Sequence, residues 1–315
     1  MASQDFPDEC EKILESVGKA VITEQDFLET VLTGLVAKGH VLVEDVPGTG
    51  KTLTARSFAN AMGLSFSRIQ FTPDLLPSDI TGSHIYNEDE REFEFNKGPI
   101  FANVVLADEI NRAPPKTQAA LLEAMGEKQV TVDNETMELP EPFFVIATQN
   151  PVEQEGTFAL PEAQRDRFMV KTEMGYPSRD GEREILDRRA NRFQQTPSAE
   201  QVVSGQEIED LQQAAEEIEV EDKMRDYIVD LCRYTRLDER VQVGISPRGI
   251  QRLFEASRSR ALINGRDYVA PSDVKDVARE VLQHRLVLTP EAEVEEVEKS
   301  EIIEDTLESV EVPEV

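Results

Sequence analysis

The hexapeptide PGTGKT, Pro47–Thr52, follows the apolar run HVLVEDV (His40–Val46) and precedes a stretch of helical pattern from Thr52 to Met62. A phosphate chain needs several backbone N–H donors converging on one point. Glycines let the backbone approach, and a helix N-terminus adds positive potential. The expected contact set is Asp45, Val46, Pro47, Gly48, Thr49, Gly50, Lys51, Thr52 and Leu53. Lys51 would reach the β- and γ-phosphates of a nucleotide, and the Thr52 hydroxyl would bind Mg2+. The full G-x-x-x-x-G-K-[ST] pattern asks for Gly at position 45, where this chain has Asp45. Gly48 and Gly50 are intact, so the cradle is expected to form. The plain alternative is a Gly-rich turn with an exposed lysine.

A second constellation is VVLADE, Val104–Glu109. A buried strand ending in Asp108 places a carboxylate where it can hold Mg2+. Glu109 beside it is within range to polarise an attacking water, since general-base work needs a carboxylate within hydrogen-bond reach. Taken alone, an apolar run ending in DE is also a common solvated turn. The interval from Lys51 has room for one helix, one strand and an insertion, which favours the metal-site reading. The third is Asn150, ending FFVIATQN. An amide at the carboxyl end of a parallel strand lies on the ligand side, where it could orient water or contact the γ-phosphate. Its alternative is a turn-forming Asn before Pro151.

These residues need a sheet to hold them. Residues 1–40 read as helices broken near Thr23. Strands are expected at His40–Val46, Ser65–Phe71, Asn103–Ala107, Phe143–Pro151 and Arg167–Met174, with a helix at Lys116–Met125. Hairpin insertions are expected around Gly82–Tyr86 and Glu92–Phe95, flanking NEDER, and across Gln129–Leu139. After Tyr176–Asp180 the pattern is helical only, with candidates at Asp180–Phe193, Ser204–Glu217, Glu221–Leu237, Ser246–Asn264 and Pro271–Leu286. Strands alternating with helices imply an α/β fold with a mostly parallel sheet. The helical remainder implies a second, smaller domain. The expected division is 1–177, 178–289, and an acidic tail, 290–315, read as disordered for want of aromatic residues.

Acidic residues outnumber basic ones 63 to 33, for a net charge of −30. The excess is not confined to one end, although from Glu291 onward eleven carboxylates face a single lysine. A pervasive negative surface repels phosphate backbones and opposes non-specific nucleic-acid binding. It also self-repels at low salt, which suggests a halophilic setting, with an ordinary acidic protein as the alternative. Apolar content of 39% suffices for a core. No run approaches the ~18 residues of a membrane span, and the first residues lack the marks of a secretory leader. Cys10 and Cys232 cannot build a disulfide framework. The expectation is a soluble, cytoplasmic protein.

In this order, EDVPGTGKT, LADEINRAPPKTQAALLEAMGEKQVT, FFVIATQNPVEQEGTFALPEAQRDRF and SPRG resemble a MoxR-type AAA+ ATPase, from about Val17 to Leu288. Asp at the first P-loop position is familiar in that family. The resemblance implies a P-loop AAA+ core with a five-stranded parallel sheet and β-hairpin insertions, followed by a small all-α lid domain. It implies ATP and Mg2+ as ligands, and a homo-oligomer, expected as a hexameric ring. The implied activity is chaperone-like remodelling or maturation of a protein client, often with a von Willebrand A-type partner. Arg167, in the D-R-F slot, would be the arginine finger reaching a neighbouring subunit's γ-phosphate; Arg165 is its rival. Arg248, in ISPRG, would be the second sensor coupling the lid to nucleotide. Arg112 would support a subunit contact. The plain alternative for each arginine is a surface salt bridge.

Val21 and Ile22 are candidates for the adenine pocket or for ordinary core. His40, His84 and His284 are too scattered for a metal site and are read as structural. Tyr86, Phe93 and Phe95 alternate in the first insertion, facing a substrate channel or packing the hairpin down. Two other functions compete: a DNA-directed AAA+ motor, opposed by the charge, and a nucleotide-binding scaffold with negligible hydrolysis, which would not need this whole set of residues. A GTPase is disfavoured by the absence of an N-K-x-D-like base reader.

Overall fold

Five short apolar runs become the strands of one parallel sheet in the computed structural model, which describes residues 6–87, 91–133, 135–151, 157–190 and 197–313. In chain order, α1 (Phe6–Ala20) and α2 (Gln25–Val36) precede β1 (Val41–Glu44). Then come α3 (Lys51–Ala61), β2 (Phe66–Gln70), the short α4 (Pro77–Thr81), and β3 (Gly82–Asn87) paired with β4 (Glu92–Lys97). The core continues through β5 (Val104–Asp108), α5 (Pro115–Glu127), and the second hairpin, β6 (Gln129–Val132) with β7 (Glu135–Glu138). It closes with β8 (Phe144–Gln149), α6 (Glu162–Arg165) and β9 (Val170–Thr172).

The strand order is β2-β5-β8-β1-β9, all parallel. Side chains alternate across the pleat. Val41, Val43, Val104, Leu106, Phe144 and Ile146 therefore face one apolar cluster, while Leu42, Val105, Ala107, Val145 and Ala147 face the other. The order sets β1 next to β8 and β8 next to β5, so the chain segments leaving these three strands meet at one edge of the sheet.

The second part contains α7 (Arg179–Ala190), α8 (Gly205–Glu217), α9 (Asp222–Tyr234), β10 (Val241–Val243), α10 (Pro247–Ile263), α11 (Pro271–Leu282) and β11 (Val287–Leu288). The expected end of the first of these helices, at Phe193, lies outside the described residues. Local signals start two of the helices. Ser204 and Glu207 form a reciprocal capping box at α8, and Ser246 accepts from the Gly249 N–H ahead of α10, with Pro247 in the first turn. The lid is not all-α, since β10 and β11 pair antiparallel. Two- and three-residue strands carry too short a period to stand out in sequence. Its core is also continuous with the first part: α1, α2 and α3 share one apolar cluster with Leu211, Leu231, Leu253 and Val274.

The expected disordered tail is instead helical, with α12 (Pro290–Val294) and α13 (Lys299–Ser309); the last two residues lie outside the description. Its acidity is one face of an amphipathic pattern. Ile302, Ile303 and Thr306 are buried, while Lys299 Nζ donates to the Leu286 carbonyl at 2.7 Å and Arg240 Nη2 to Asp305 at 2.7 Å. Truncating fully buried Ile303 to Ala is expected to destabilise the fold by ~2–5 kcal/mol, as measured by urea unfolding; a disordered tail would give no change.

Candidate functional site

At the carboxyl ends of β1, β5 and β8, with β2 alongside, lies a cleft of about 440 Å³. It is lined by Asp45, Pro47, Gly48, Gly50, Lys51, Thr52 and Leu53 from the loop and α3, and by Asp108, Glu109 and Asn150 from the ends of β5 and β8. Gly48 (φ +94°) and Gly50 (φ +110°) adopt backbone conformations that favour glycine. A side-chain carbon at Gly48 would meet only open space, so this is a surface a ligand can approach. The first turn of α3 holds no acidic residue, which leaves its positive end to an anion.

Lys51 Nζ donates to the carbonyls of Asp45 and Val46 at 2.9 and 2.7 Å. Burial pushes its ammonium below the ordinary value, and the nearby carboxylates of Asp45, Asp108 and Glu109 oppose that shift. Asp45 has a structural reason to replace glycine: Oδ2 accepts from the Gly175 N–H at 3.1 Å and Oδ1 from the Val46 N–H at 2.7 Å. The first position of the loop is thereby tied to the segment that leads into the lid.

Asp108 and Glu109 are held from three sides. The Thr148 hydroxyl donates to Asp108 Oδ1 at 2.7 Å and accepts from the Glu109 N–H at 2.8 Å. Arg68 reaches Asp108 Oδ2 through Nε and Nη2 at 3.1 and 2.6 Å. Gln70 Nε2 and Arg112 Nη1 donate to Glu109 Oε2 at 2.8 and 3.0 Å. Glu109 itself sits at φ +58°, a left-handed conformation that costs a residue with a side chain ~1–2 kcal/mol. Such strain is typical of sites whose geometry the surroundings over-determine. Arg68, Gln70 and Thr148 were not foreseen. The alternation SFSRIQF does put Arg68 and Gln70 on one strand face; what makes them neighbours of the carboxylates is the register Gln70↔Asp108.

Hard oxygen donors, the Thr52 hydroxyl and the Asp108 carboxylate, line the cleft beside a phosphate-sized cradle, and this donor set suits Mg2+. Among the described residues no group of three or more His, Cys, Asp or Glu side chains is placed to hold a metal by itself.

Other candidates fall elsewhere. Arg167 Nη1 donates to the Leu122 carbonyl of α5 at 2.5 Å, and Arg248 Nη1 to Asp166 at 3.5 Å; neither lines the cleft. Arg165 pairs loosely with Glu162 at 3.8 Å. Arg112 is engaged with Glu109 of its own chain. Val21 and Ile22 line a separate, larger cleft of about 960 Å³ between α1, α2 and α7. That cleft shares no residue with the loop site and gathers no comparable chemistry.

The histidines are in structural settings. His40 is buried, accepts from the Val145 N–H at 3.1 Å, and is held neutral by burial, with its pKa lowered to about 4. His284 is buried beside the Phe168 carbonyl. His84 joins the two hairpins through Asp133 at 3.0 Å. The insertion aromatics divide. Phe95 packs edge-on against His84 and Phe101, whereas Tyr86 and Phe93 form an exposed T-shaped pair. Both cysteines are buried and free, and burial pushes their thiols up to about 12. No helix among the described residues is long and apolar enough to cross a membrane.

Comparison with known proteins gives consistent relatives. Residues 40–170 match the ATPase family associated with various cellular activities (AAA), and residues 233–306 match the AAA lid domain, which takes in α12 and most of α13. Chaperone MoxR1 of Mycobacterium tuberculosis is 45% identical over 97% of this chain and 82% of its own length. An uncharacterized Bacillus subtilis protein, YeaC, is 47% identical over 96% of this chain and 94% of its own. Protein MoxR of Methylorubrum extorquens is 31% identical, covering 97% and 94%. The crystal structure of a candidate ATPase from Cytophaga hutchinsonii superposes with a TM-score of 0.91 at 40% identity, over 98% of this chain and 96% of that one.

Proposed function

Because the chain belongs to the MoxR family of AAA+ ATPases, we propose that it hydrolyses ATP with Mg2+ in the cleft beside Gly50. The observation that carries this reading is the meeting of Lys51 and Thr52 with Asp108 and Glu109 in one cleft. Lys51 binds the β- and γ-phosphates, exchanging its two loop carbonyls for phosphate oxygens. Thr52 and Asp108 hold Mg2+, which supplies neutralisation of phosphate charge. Glu109 orients the attacking water and takes its proton, and Asn150 contacts the water or the γ-phosphate. Arg167 serves the cleft of an adjoining subunit in a homo-oligomer, expected as a hexameric ring, and Arg248 reports nucleotide to the lid.

The energy of hydrolysis goes to remodelling a protein client, as the name of the mycobacterial relative suggests for that protein; a von Willebrand A-type partner is the expected companion. The exposed Tyr86–Phe93 pair is a surface that such a client could meet. The net charge of −30 disfavours the DNA-directed alternative.

Nucleotide titration of Lys51→Ala tests the phosphate cradle. Losing charge-assisted hydrogen bonds to phosphate should weaken binding roughly 100-fold. Tight ATP binding by that variant would contradict the assignment.

A further inference from the structure

Asp108 lines the loop cleft, and both of its carboxylate oxygens are engaged. Oδ1 accepts from the Thr148 hydroxyl at 2.7 Å. Oδ2 accepts twice from one guanidinium, Arg68 Nε at 3.1 Å and Nη2 at 2.6 Å. The Asp108 side chain is 13% exposed, against 46% for Arg68. A carboxylate so buried is costly to hold without a compensating positive charge. Lys51, which also lines the cleft, is engaged with the Asp45 and Val46 carbonyls. The charge of Asp108 is therefore met directly by Arg68.

Arg68 reaches Asp108 from the neighbouring strand. In the β2–β5 ladder it lies opposite Leu106, two residues before Asp108, and shares a strand face with Gln70. It lines the same cleft as Lys51 and Thr52. Nη2 also donates to Gln70 Oε1, so letting go of Asp108 leaves the guanidinium a protein partner and access to water. A half-exposed arginine gives up one ion pair at little cost. The pair is thus unequal: Asp108 needs a cation, and Arg68 can leave.

The same carboxylate, with the Thr52 hydroxyl, is the donor set that suits Mg2+. A divalent cation drawn to Asp108 would meet the like charge of Arg68, and such repulsion is strong where water is scarce. We propose that Arg68 is a positioning residue that stands in for the metal. It neutralises Asp108 while no nucleotide is bound and yields the carboxylate to the divalent cation that nucleotide brings. The inference rests on the ATP and Mg2+ reading of the cleft and deepens it: Arg68 sets how strongly nucleotide binding depends on the metal.

The test compares the affinity of the full chain for a non-hydrolysable ATP analogue in Mg2+ and in EDTA. The ratio of the two measures the coupling between metal and nucleotide. Arg68→Gln should raise that ratio about tenfold by removing the competing cation. In the Asp108→Asn background the same change should gain nothing. An unchanged or lower ratio for Arg68→Gln overturns the proposal. So does an equal gain in both backgrounds, which would mark a general field effect of the lost charge. Arg68→Lys keeps a cation beside Asp108 and should stay within about threefold of the parent; a ratio equal to that of Arg68→Gln overturns the role assigned to the charge. If Arg68→Gln unfolds because Asp108 has lost its partner, the analogue with Mg2+ should restore the fold where the analogue with EDTA does not. Equal rescue, or none, overturns the proposal. Failure of the unaltered chain to bind the analogue under either condition sinks the ATP reading itself. Binding that Mg2+ strengthens, with an additive cycle, sinks only the role of Arg68.

Discussion

Glu109→Gln is expected to bind ATP within a few-fold of the parent and to turn it over ~10²–10⁴-fold more slowly, the range over which a positioned base contributes. The substitution is nearly isosteric. The amide oxygen can still accept from Gln70 or Arg112, and the backbone N–H can still donate to Thr148, so the strained turn at φ +58° keeps its supports. What is lost is the capacity to take a proton. Asp108, which shares Thr148 with Glu109, is untouched, so the proposed metal site should persist. Phosphate release at saturating ATP, together with a nucleotide titration, separates the two effects. Normal turnover would remove Glu109 as the base. A parallel loss of binding would mean that its part in holding Gln70 and Arg112 outweighs any chemistry.

Much of this site was legible because its parts are local. PGTGKT after an apolar run carries all of the expected phosphate-loop pattern except its first glycine, and an apolar run ending in Asp108–Glu109 states where the carboxylates fall. The companions of those carboxylates were not legible. Arg68 and Asp108 are forty residues apart, as are Thr148 and Asp108. They meet because β5 lies between β2 and β8, an order that no local pattern encodes. Arg112 shows the converse. Its motif suggested an outward role, yet one turn of 3-10 helix brings it back onto Glu109, three residues earlier.

The C-terminal segment misled for a different reason. Its composition resembles that of a solvated chain, but disorder depends on whether enough apolar surface can be buried. Ile302, Ile303 and Thr306, spaced to one side of a helix, meet α11 and α9. The acidic residues then lie outward on a lid that already needed a cover. Asp45 likewise departs from the phosphate-loop pattern, yet its carboxylate replaces a glycine's freedom with two backbone hydrogen bonds. In each case the average property of the segment pointed one way, and a few placed side chains decided the other.

Arg167→Ala should retain ATP binding and lose turnover by ~10³-fold or more, as expected for an arginine finger. Within its own chain Arg167 is turned away from the cleft. Nη1 rests on the Leu122 carbonyl, and the seat exists only because residue 126 is glycine: a side-chain carbon there would lie 2.2 Å from that nitrogen. The reading of Arg167 as a finger therefore expects it to act on a phosphate of another subunit. Mixing with Lys51→Ala exposes that arrangement. Each variant supplies what the other lacks, so at equal, random mixing about one quarter of the interfaces would pair an intact loop with an intact finger. Activity should therefore rise well above the mean of the two separate variants. Demonstrated mixed assembly with no such rise would place the action of Arg167 inside its own subunit. Arg165→Ala run alongside decides between neighbours, since recovery confined to the Arg167 variant assigns the finger to the residue seated against Gly126.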